Sequence, residues 1–238
     1  DVGLKDFIYQ KKIFKQNFPN EGNYVIKLQN QIKKMLRVKY CIALPSCTSA
    51  LYLAVKILNL RKNQEILIPN ITFAASANAA FMAGVKIKFV DVNPETLNID
   101  LSDLRKKINK NTKAIMPVHV SGRAWDMSSI MKIAKKKKLY VIEDAAEAFL
   151  SKYKKRFLGT IGDMGCFSLS PNKIFTSGQG GLLVTNNKQY YKKLSVFKTQ
   201  GRVGSTTGGN DLHISAGGNF KLSNISAGLA ITQLKKVN

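Results

Sequence analysis

One lysine in this 238-residue chain follows an apolar run and precedes a cluster of glycines. Lys173 closes the segment Phe167-Ser168-Leu169-Ser170-Pro171-Asn172-Lys173, and Gly178-Gln179-Gly180-Gly181 comes soon after. An ε-amine held in a cleft and partly desolvated loses its proton more easily than one in water, and can then form a Schiff base with a carbonyl. With 38 Lys+Arg in the chain, any single lysine is a surface residue by default, so its neighbours make the case. A second segment, Glu143-Asp144-Ala145-Ala146-Glu147-Ala148, sets Asp144 directly after the apolar stretch 139–143. A carboxylate there is costly to desolvate unless it meets a cation or a donor. A protonated pyridine nitrogen is one such partner; capping of the next helix is the other reading. A third, Pro45-Ser46-Cys47-Thr48-Ser49-Ala50, gathers small hydroxyl residues between a strand and a helix start. It reads either as a phosphate cup built on free N–H groups and the helix dipole, or as a plain N-cap.

The elements that must position these residues follow from periodicity. Residues 40–44, 65–68, 85–92, 113–118 and 139–143 are apolar stretches of strand length, and 48–58, 74–82, 101–108 and 126–137 carry apolar residues at helical spacing between them. The alternation predicts an α/β sheet of mostly parallel strands. In such a sheet ligands bind beyond the carboxyl ends of the strands, where all three segments fall. Residues 24–36 form an amphipathic entry helix with Val25, Leu28, Ile32 and Leu36 on one side. Residues 165–169 and 181–185 are further strands, and 224–234 a last helix. The stretch 201–218 holds six glycines and is read as mobile or held by a partner. No repeat or linker interrupts residues 1–238, so they are read as one domain.

Composition narrows the class. At 45% hydrophobic the chain can bury a core, which excludes disorder, and Cys41, Cys47 and Cys166 do not make a disulfide framework. No apolar run reaches the roughly 20 residues of a membrane span, and no signal peptide or initiating methionine opens the chain. The expectation is a cytoplasmic, soluble protein, clipped at its ends. The net charge of +24 is nearly all lysine and is not interleaved with stacking aromatics, so it reads as solvated faces rather than a nucleic-acid site. His119 and His213 are the only histidines, and no Cys/His cluster has zinc spacing, so no metal is expected. Cys47 lacks a nearby base and is read as a small filler.

Taken in order, these segments resemble the DegT/DnrJ/EryC1/StrS sugar aminotransferases, pyridoxal 5'-phosphate enzymes of fold type I. The likeness also runs through Val25-Ile26-Lys27-Leu28, Ile68-Pro69-Asn70-Ile71-Thr72-Phe73, Phe89-Val90-Asp91-Val92, Pro117-Val118-His119 and Gly218-Asn219-Phe220-Lys221-Leu222-Ser223-Asn224. It implies a seven-stranded, mixed and mostly parallel sheet between helices, with a small C-terminal domain beyond Asn238. By this resemblance Lys173 is the Schiff-base lysine and proton carrier, and Asp144 keeps the pyridine nitrogen protonated. Cys47, Thr48 and Ser168 belong to the phosphate cup, Glu147 borders the cofactor, and Phe73 either stacks on its ring or packs in the core. Asn219 reaches the phosphate in the partner of a homodimer. His119 and Arg123 are candidates for touching substrate, against a core histidine and a surface arginine.

The same resemblance implies amino transfer from an amino acid, glutamate by expectation, to a keto group of a nucleotide-activated deoxysugar in polysaccharide biosynthesis. Glu147, Asn172 and Asn224 depart from the commonest family choices and are nearest to the perosamine synthase-like 4-aminotransferases. Family dehydratases replace the lysine, which Lys173 argues against. A non-catalytic polyanion-binding protein on the same fold is the remaining alternative. For an enzyme, the basic surface is expected to draw in a diphosphate-bearing substrate.

Overall fold

The structure is a computed structural model that describes residues 2–15, 18–203 and 212–237. Helices α1 (Leu4–Phe14) and α2 (Asn23–Leu36) lead into β1 (Tyr40–Leu44), α3 (Cys47–Lys56), β2 (Glu65–Pro69), α4 (Ala74–Met82) and β3 (Lys86–Val90). Next come α5 (Leu101–Lys107), β4 (Thr112–Ile115), α6 (Met127–Lys137) and β5 (Tyr140–Asp144). A small hairpin, β6 (Lys152–Tyr153) and β7 (Arg156–Phe157), precedes β8 (Met164–Ser168), β9 (Gly181–Thr185), α7 (Lys188–Phe197) and α8 (Asn224–Leu234).

Seven strands form one sheet in the order β1-β9-β8-β5-β4-β2-β3. From β3 across to β8 every neighbouring pair is parallel, whereas β9 runs antiparallel to both β8 and β1. This is the mixed, mostly parallel sheet the sequence predicts. Except at the edge strand β3, where Lys86 and Phe89 are exposed, both faces are covered, which is why the strands read as continuous apolar runs. Leu67, Val141 and Val184 point into a core roofed by α2, α6 and α8; their neighbours Ile66, Ile142 and Leu183 point into another beneath α3, α4 and α7. The four apolar residues of the α2 stripe are all buried. Truncating fully buried Ile32 to alanine costs about 3 kcal/mol.

Helices α1 and α7 and the β6–β7 hairpin were not evident from periodicity. The inward face of α1 is not an apolar stripe but Ile13 together with a carboxylate, Asp6. Burial alone would raise the pKa of Asp6, but donors from Thr232, the Gly3 N–H, Lys236 and Gln233 hold it well below the usual carboxylate range. In α7 only Leu194 is fully buried, with Tyr190, Tyr191 and Phe197 partly buried against the same core. Of the glycine-rich stretch 201–218, residues 204–211 lie outside the described residues. Its two arms are joined by the bridges Arg202 to His213 and Thr199 to Asn219.

Candidate active site

A cavity of about 450 Å³ opens at the carboxyl edge of the sheet, among the loops that follow β1, β2, β4, β5 and β8. Cys47, Thr48, Phe73, His119, Asp144, Glu147, Ser168 and Lys173 all line it, although they come from five separate stretches of sequence. Arg123, a candidate for touching substrate, does not, and Asn219 was expected in the partner's cup rather than in this one. Arg123 is exposed and forms no part of the wall, since the loop after β4 turns it outward. Asn219 is also exposed and outside this chain's cavity, in the strand-like contact with Thr199.

Asp144 is the last residue of β5 and is 4% exposed. Its Oδ2 accepts from Ser76 Oγ at 2.7 Å and its Oδ1 from the Ala146 N–H at 3.1 Å. Burial nevertheless raises its pKa, with the two hydrogen bonds and His119 opposing. Two neutral donors do not replace the lost water, so the carboxylate still favours a cation at the cavity. Ser76, on α4, was not picked out from the sequence. Its hydroxyl also lies 2.7 Å from Thr72 Oγ1, which ties α4 to the carboxylate.

Directly before it, Glu143 points to the opposite face of β5 and is fully buried. Its Oε1 accepts from the Ile161 and Gly162 N–H groups, both at 2.6 Å, and its Oε2 from the Gly159 N–H at 2.8 Å. His119 Nε2 lies 3.0 Å from the same Oε2. An ionised carboxylate only accepts, so Nε2 carries a proton and donates, which fixes the ring. Nδ1 is left buried without a protein partner, the one such side-chain atom among the described residues that line the cavity. The signal for Glu143 was present in the sequence, because a carboxylate within an apolar strand needs several donors and the loop 159–162 supplies them.

Lys173 lies in the loop between β8 and β9, with its side chain 16% exposed and Nζ 3.0 Å from Glu147 Oε1. The other oxygen of Glu147 accepts from the Ser121 N–H at 2.8 Å. That backbone bond, followed by Lys173, lowers the pKa of Glu147. The amine is thus held at the cavity wall as half of an ion pair. Ser46 caps α3 by accepting from the Ser49 N–H at 3.0 Å, leaving the N–H groups of Cys47 and Thr48 without intrahelical acceptors. Gly181, which opens β9, lies so close that a Cβ there would be 2.3 Å from the carbonyl of Ser46, so glycine is required for this approach. Ser168 Oγ is 3.0 Å from Ser170 Oγ beside the cup. Cys47 has its thiol pKa pushed well up by burial and by Asp144, as suits a filler. Phe73 is 81% exposed, which rules out core packing and leaves its ring presented at the cavity mouth.

These residues fit a flat, phosphate-bearing heteroaromatic aldehyde. An amine stands ready for the carbonyl, a carboxylate for a ring cation, N–H groups and hydroxyls for phosphate, and the orphan Nδ1 of His119 for a further polar group. No group of three or more metal-ligating side chains occurs among the described residues.

Residues 5–238 match the DegT/DnrJ/EryC1/StrS aminotransferase family. The GDP-perosamine synthase of Escherichia coli O157:H7 is 39% identical over 219 residues, which cover 92% of this chain and 59% of that protein. The UDP-4-amino-4,6-dideoxy-N-acetyl-beta-L-altrosamine transaminase of Campylobacter jejuni strain 81-176 is 35% identical over 241 residues, covering all of this chain and 63% of the relative. The X-ray structure of an aminotransferase from Psychrobacter cryohalolentis superposes with a TM-score of 0.94 at 30% identity, over 99% of this chain and 62% of that one. The chain therefore spans about three fifths of the length of the relatives it matches.

Proposed function

We propose that this chain, which belongs to the DegT/DnrJ/EryC1/StrS aminotransferase family, is the cofactor-binding part of a pyridoxal 5'-phosphate-dependent aminotransferase acting on a nucleotide-linked deoxysugar. The amino group comes from an amino acid, glutamate being the expected donor, and goes to a keto group of the sugar. The likeness to the two sugar-nucleotide enzymes supports this substrate class and a role in glycan biosynthesis. The observation that carries the reading is the shared cavity: the amine of Lys173 and the buried carboxylate of Asp144 both line it.

When bound, pyridoxal phosphate supplies an electron sink for the carbanion formed at the donor's Cα. Asp144 is the residue to hold a protonated ring nitrogen, since a cation offsets the burial that raises its pKa. Ser76 and the Ala146 N–H fix the direction of its lone pairs. Lys173 is the residue to carry the cofactor covalently and then to move a proton at the donor's Cα. Either task requires it to leave Glu147 and give up its charge. Glu147, held by the Ser121 N–H, is positioned to receive that amine again as an ammonium. The N–H groups of Cys47 and Thr48, with the hydroxyls of Thr48 and Ser168, form the phosphate cup, and Phe73 closes over the ring. His119 offers Nδ1 to a polar group of cofactor or substrate. Asn219 lies outside this chain's own cavity, which suits a role in the partner's cup within a cytoplasmic homodimer. No helix among the described residues is long and apolar enough to cross a membrane.

Borohydride reduction after incubation with pyridoxal phosphate, followed by peptide mass spectrometry, tests the reading. A pyridoxyl adduct on Lys173, absent from Lys173→Arg, is expected. Adducts scattered over other lysines with none on Lys173 would sink it. Turnover of a panel of keto-sugar nucleotides with glutamate then resolves the substrate.

A further inference from the structure

Part of the positive charge gathers along one edge of the sheet. The amino edge of the sheet, opposite the cavity, carries a lysine before or at the start of each of its first five strands. Lys39 precedes β1, Lys62 precedes β2, Lys86 begins β3, Lys110 and Lys113 flank the start of β4, and the run 135–138 leads into β5. All but half-buried Lys113 are exposed, and none is ion-paired among the described residues. The acids at this edge are otherwise engaged. Glu65 is buried and accepts from Asn109 Nδ2 at 2.8 Å, and half-buried Asp163 accepts from the Val141 N–H at 2.8 Å. In contrast, eight of the 14 acidic residues lie on the cavity side, in β5 or the segments after β3, β4 and β5: Asp91, Glu95, Asp100, Asp103, Asp126, Glu143, Asp144 and Glu147. The unpaired lysines of the strand starts thus lie at the opposite end of the sheet from the cavity.

Helix dipoles account for only part of this. Lysines 135–137 occupy the last turn of α6, where cations are favoured. Lys62, Lys86 and Lys110 end no helix. Six strand spacings separate β1 from β3, which makes the edge about 30 Å across. Two further features bear on what it meets. A groove of about 330 Å³ is lined by Lys110, Lys113 and Lys137, wide enough for a phosphate headgroup. Beside Lys86, the last turn of α4 exposes Phe81 (77%) and Met82 (53%). Of the tyrosines that open strands at this edge, Tyr40 is already stacked on Tyr191 at 4.7 Å, which leaves Tyr140, 36% exposed at the start of β5. Lysine point charges around a small apolar tip suit an anionic bilayer surface better than a nucleic acid, which calls for arginine and stacked aromatics.

We infer that the amino edge docks on the surface of an anionic phospholipid membrane, with the lysines over headgroup phosphates and Phe81 at the interface. The cavity, at the opposite edge, then faces away from the membrane and stays open to soluble substrate. This inference is independent of the reaction catalysed.

Vesicle co-sedimentation of the full chain tests it, with vesicles of equal phosphatidylglycerol and phosphatidylcholine against phosphatidylcholine alone. Binding only to the anionic vesicles is expected, lost by roughly 0.5 M salt, where screening is strong. Each lysine near such a surface multiplies partitioning roughly fivefold. The triple change Lys110→Glu, Lys136→Glu and Lys137→Glu is thus expected to weaken binding on the order of a hundredfold. The control makes the same change in net charge on the β6–β7 hairpin, with Lys152→Glu, Lys154→Glu and Lys155→Glu. That hairpin leans on the N-terminus of α6 through Tyr153 and Asp126, so the control is expected to retain most binding. Equal loss in both variants, binding to neutral vesicles as strong as to anionic ones, or displacement from vesicles by a DNA duplex at matched phosphate concentration would each overturn the inference. Circular dichroism of both variants separates loss of binding from loss of fold.

Discussion

The two edges of the sheet handle charge in opposite ways. At the carboxyl edge, charged groups are engaged: buried Glu143 has three backbone N–H donors and a histidine, buried Asp144 has a serine and an N–H, and partly exposed Lys173 has Glu147. At the amino edge, lysines stand in water at the ends of short turns with no acid against them. The contrast teaches that a net charge of +24 carries little information until it is placed. A few buried carboxylates organise the reaction centre, while the excess lysines leave the fold indifferent to their presence. Changes at the first edge are therefore expected to be felt in stability or catalysis, and changes at the second in neither.

The sharpest break is Lys173→Ala. Turnover is expected to fall by at least roughly a thousandfold, in line with loss of other covalent catalytic groups, while the melting temperature stays within a few degrees because the side chain is partly exposed and has one partner. Steady-state assay and calorimetry on one preparation check both halves. Next comes Glu143→Gln, which trades a four-way acceptor for an amide whose NH₂ must face an N–H donor. It is expected to cost about 3 kcal/mol in urea unfolding and to loosen the loop 159–162 to hydrogen exchange.

A smaller, pH-dependent effect belongs to Asp144→Asn. Burial raises the pKa of Asp144 from 3.8, so the native state binds its proton more tightly than the unfolded chain does. The penalty is absent below 3.8 and grows as pH rises through the raised value, then stays constant. In cofactor-free protein, asparagine is expected to be increasingly stabilising relative to the parent as pH rises from 3.8 through the raised value, with no further gain beyond it. A difference that does not vary with pH would contradict the raised pKa. The smallest expected effect is at the other edge: replacing Lys62, Lys86 and Lys110 with alanine should leave stability and turnover within about 0.5 kcal/mol of the parent. A larger loss would show that the amino edge takes part in folding.

Much of the framework was legible because this sheet is buried on both faces. The seven strands stood out as short apolar runs, and α2 as a clean stripe. What periodicity cannot detect is an element held by polar contacts. Helix α1 packs through Asp6 against Thr232, Gln233 and Lys236, residues more than two hundred positions away. Within the site, Lys173 and Asp144 were legible from their positions at strand ends. Ser76 was not, since a serine in an alanine-rich helix carries no mark of the carboxylate it meets. Phe73 was readable as an aromatic near a strand end, but only the folded chain reveals that four fifths of its surface is open. Arg123 was chosen for being near His119 in sequence, and a turn of three residues was enough to send it outward.

The reversed direction of β9 has a mechanical consequence. Because β8 and β9 are antiparallel, the chain need not cross the sheet between them, and the stretch 169–180 begins and ends at the same edge. Its neck is laced by Leu169, which donates to the Gly180 carbonyl and accepts from the Ser177 N–H and the Thr176 hydroxyl. The reactive amine therefore rides on a short loop with both feet fixed, free to swing at its tip and unable to slide along the sheet. Added residues within that loop would lengthen the lysine's reach without disturbing any crossover helix.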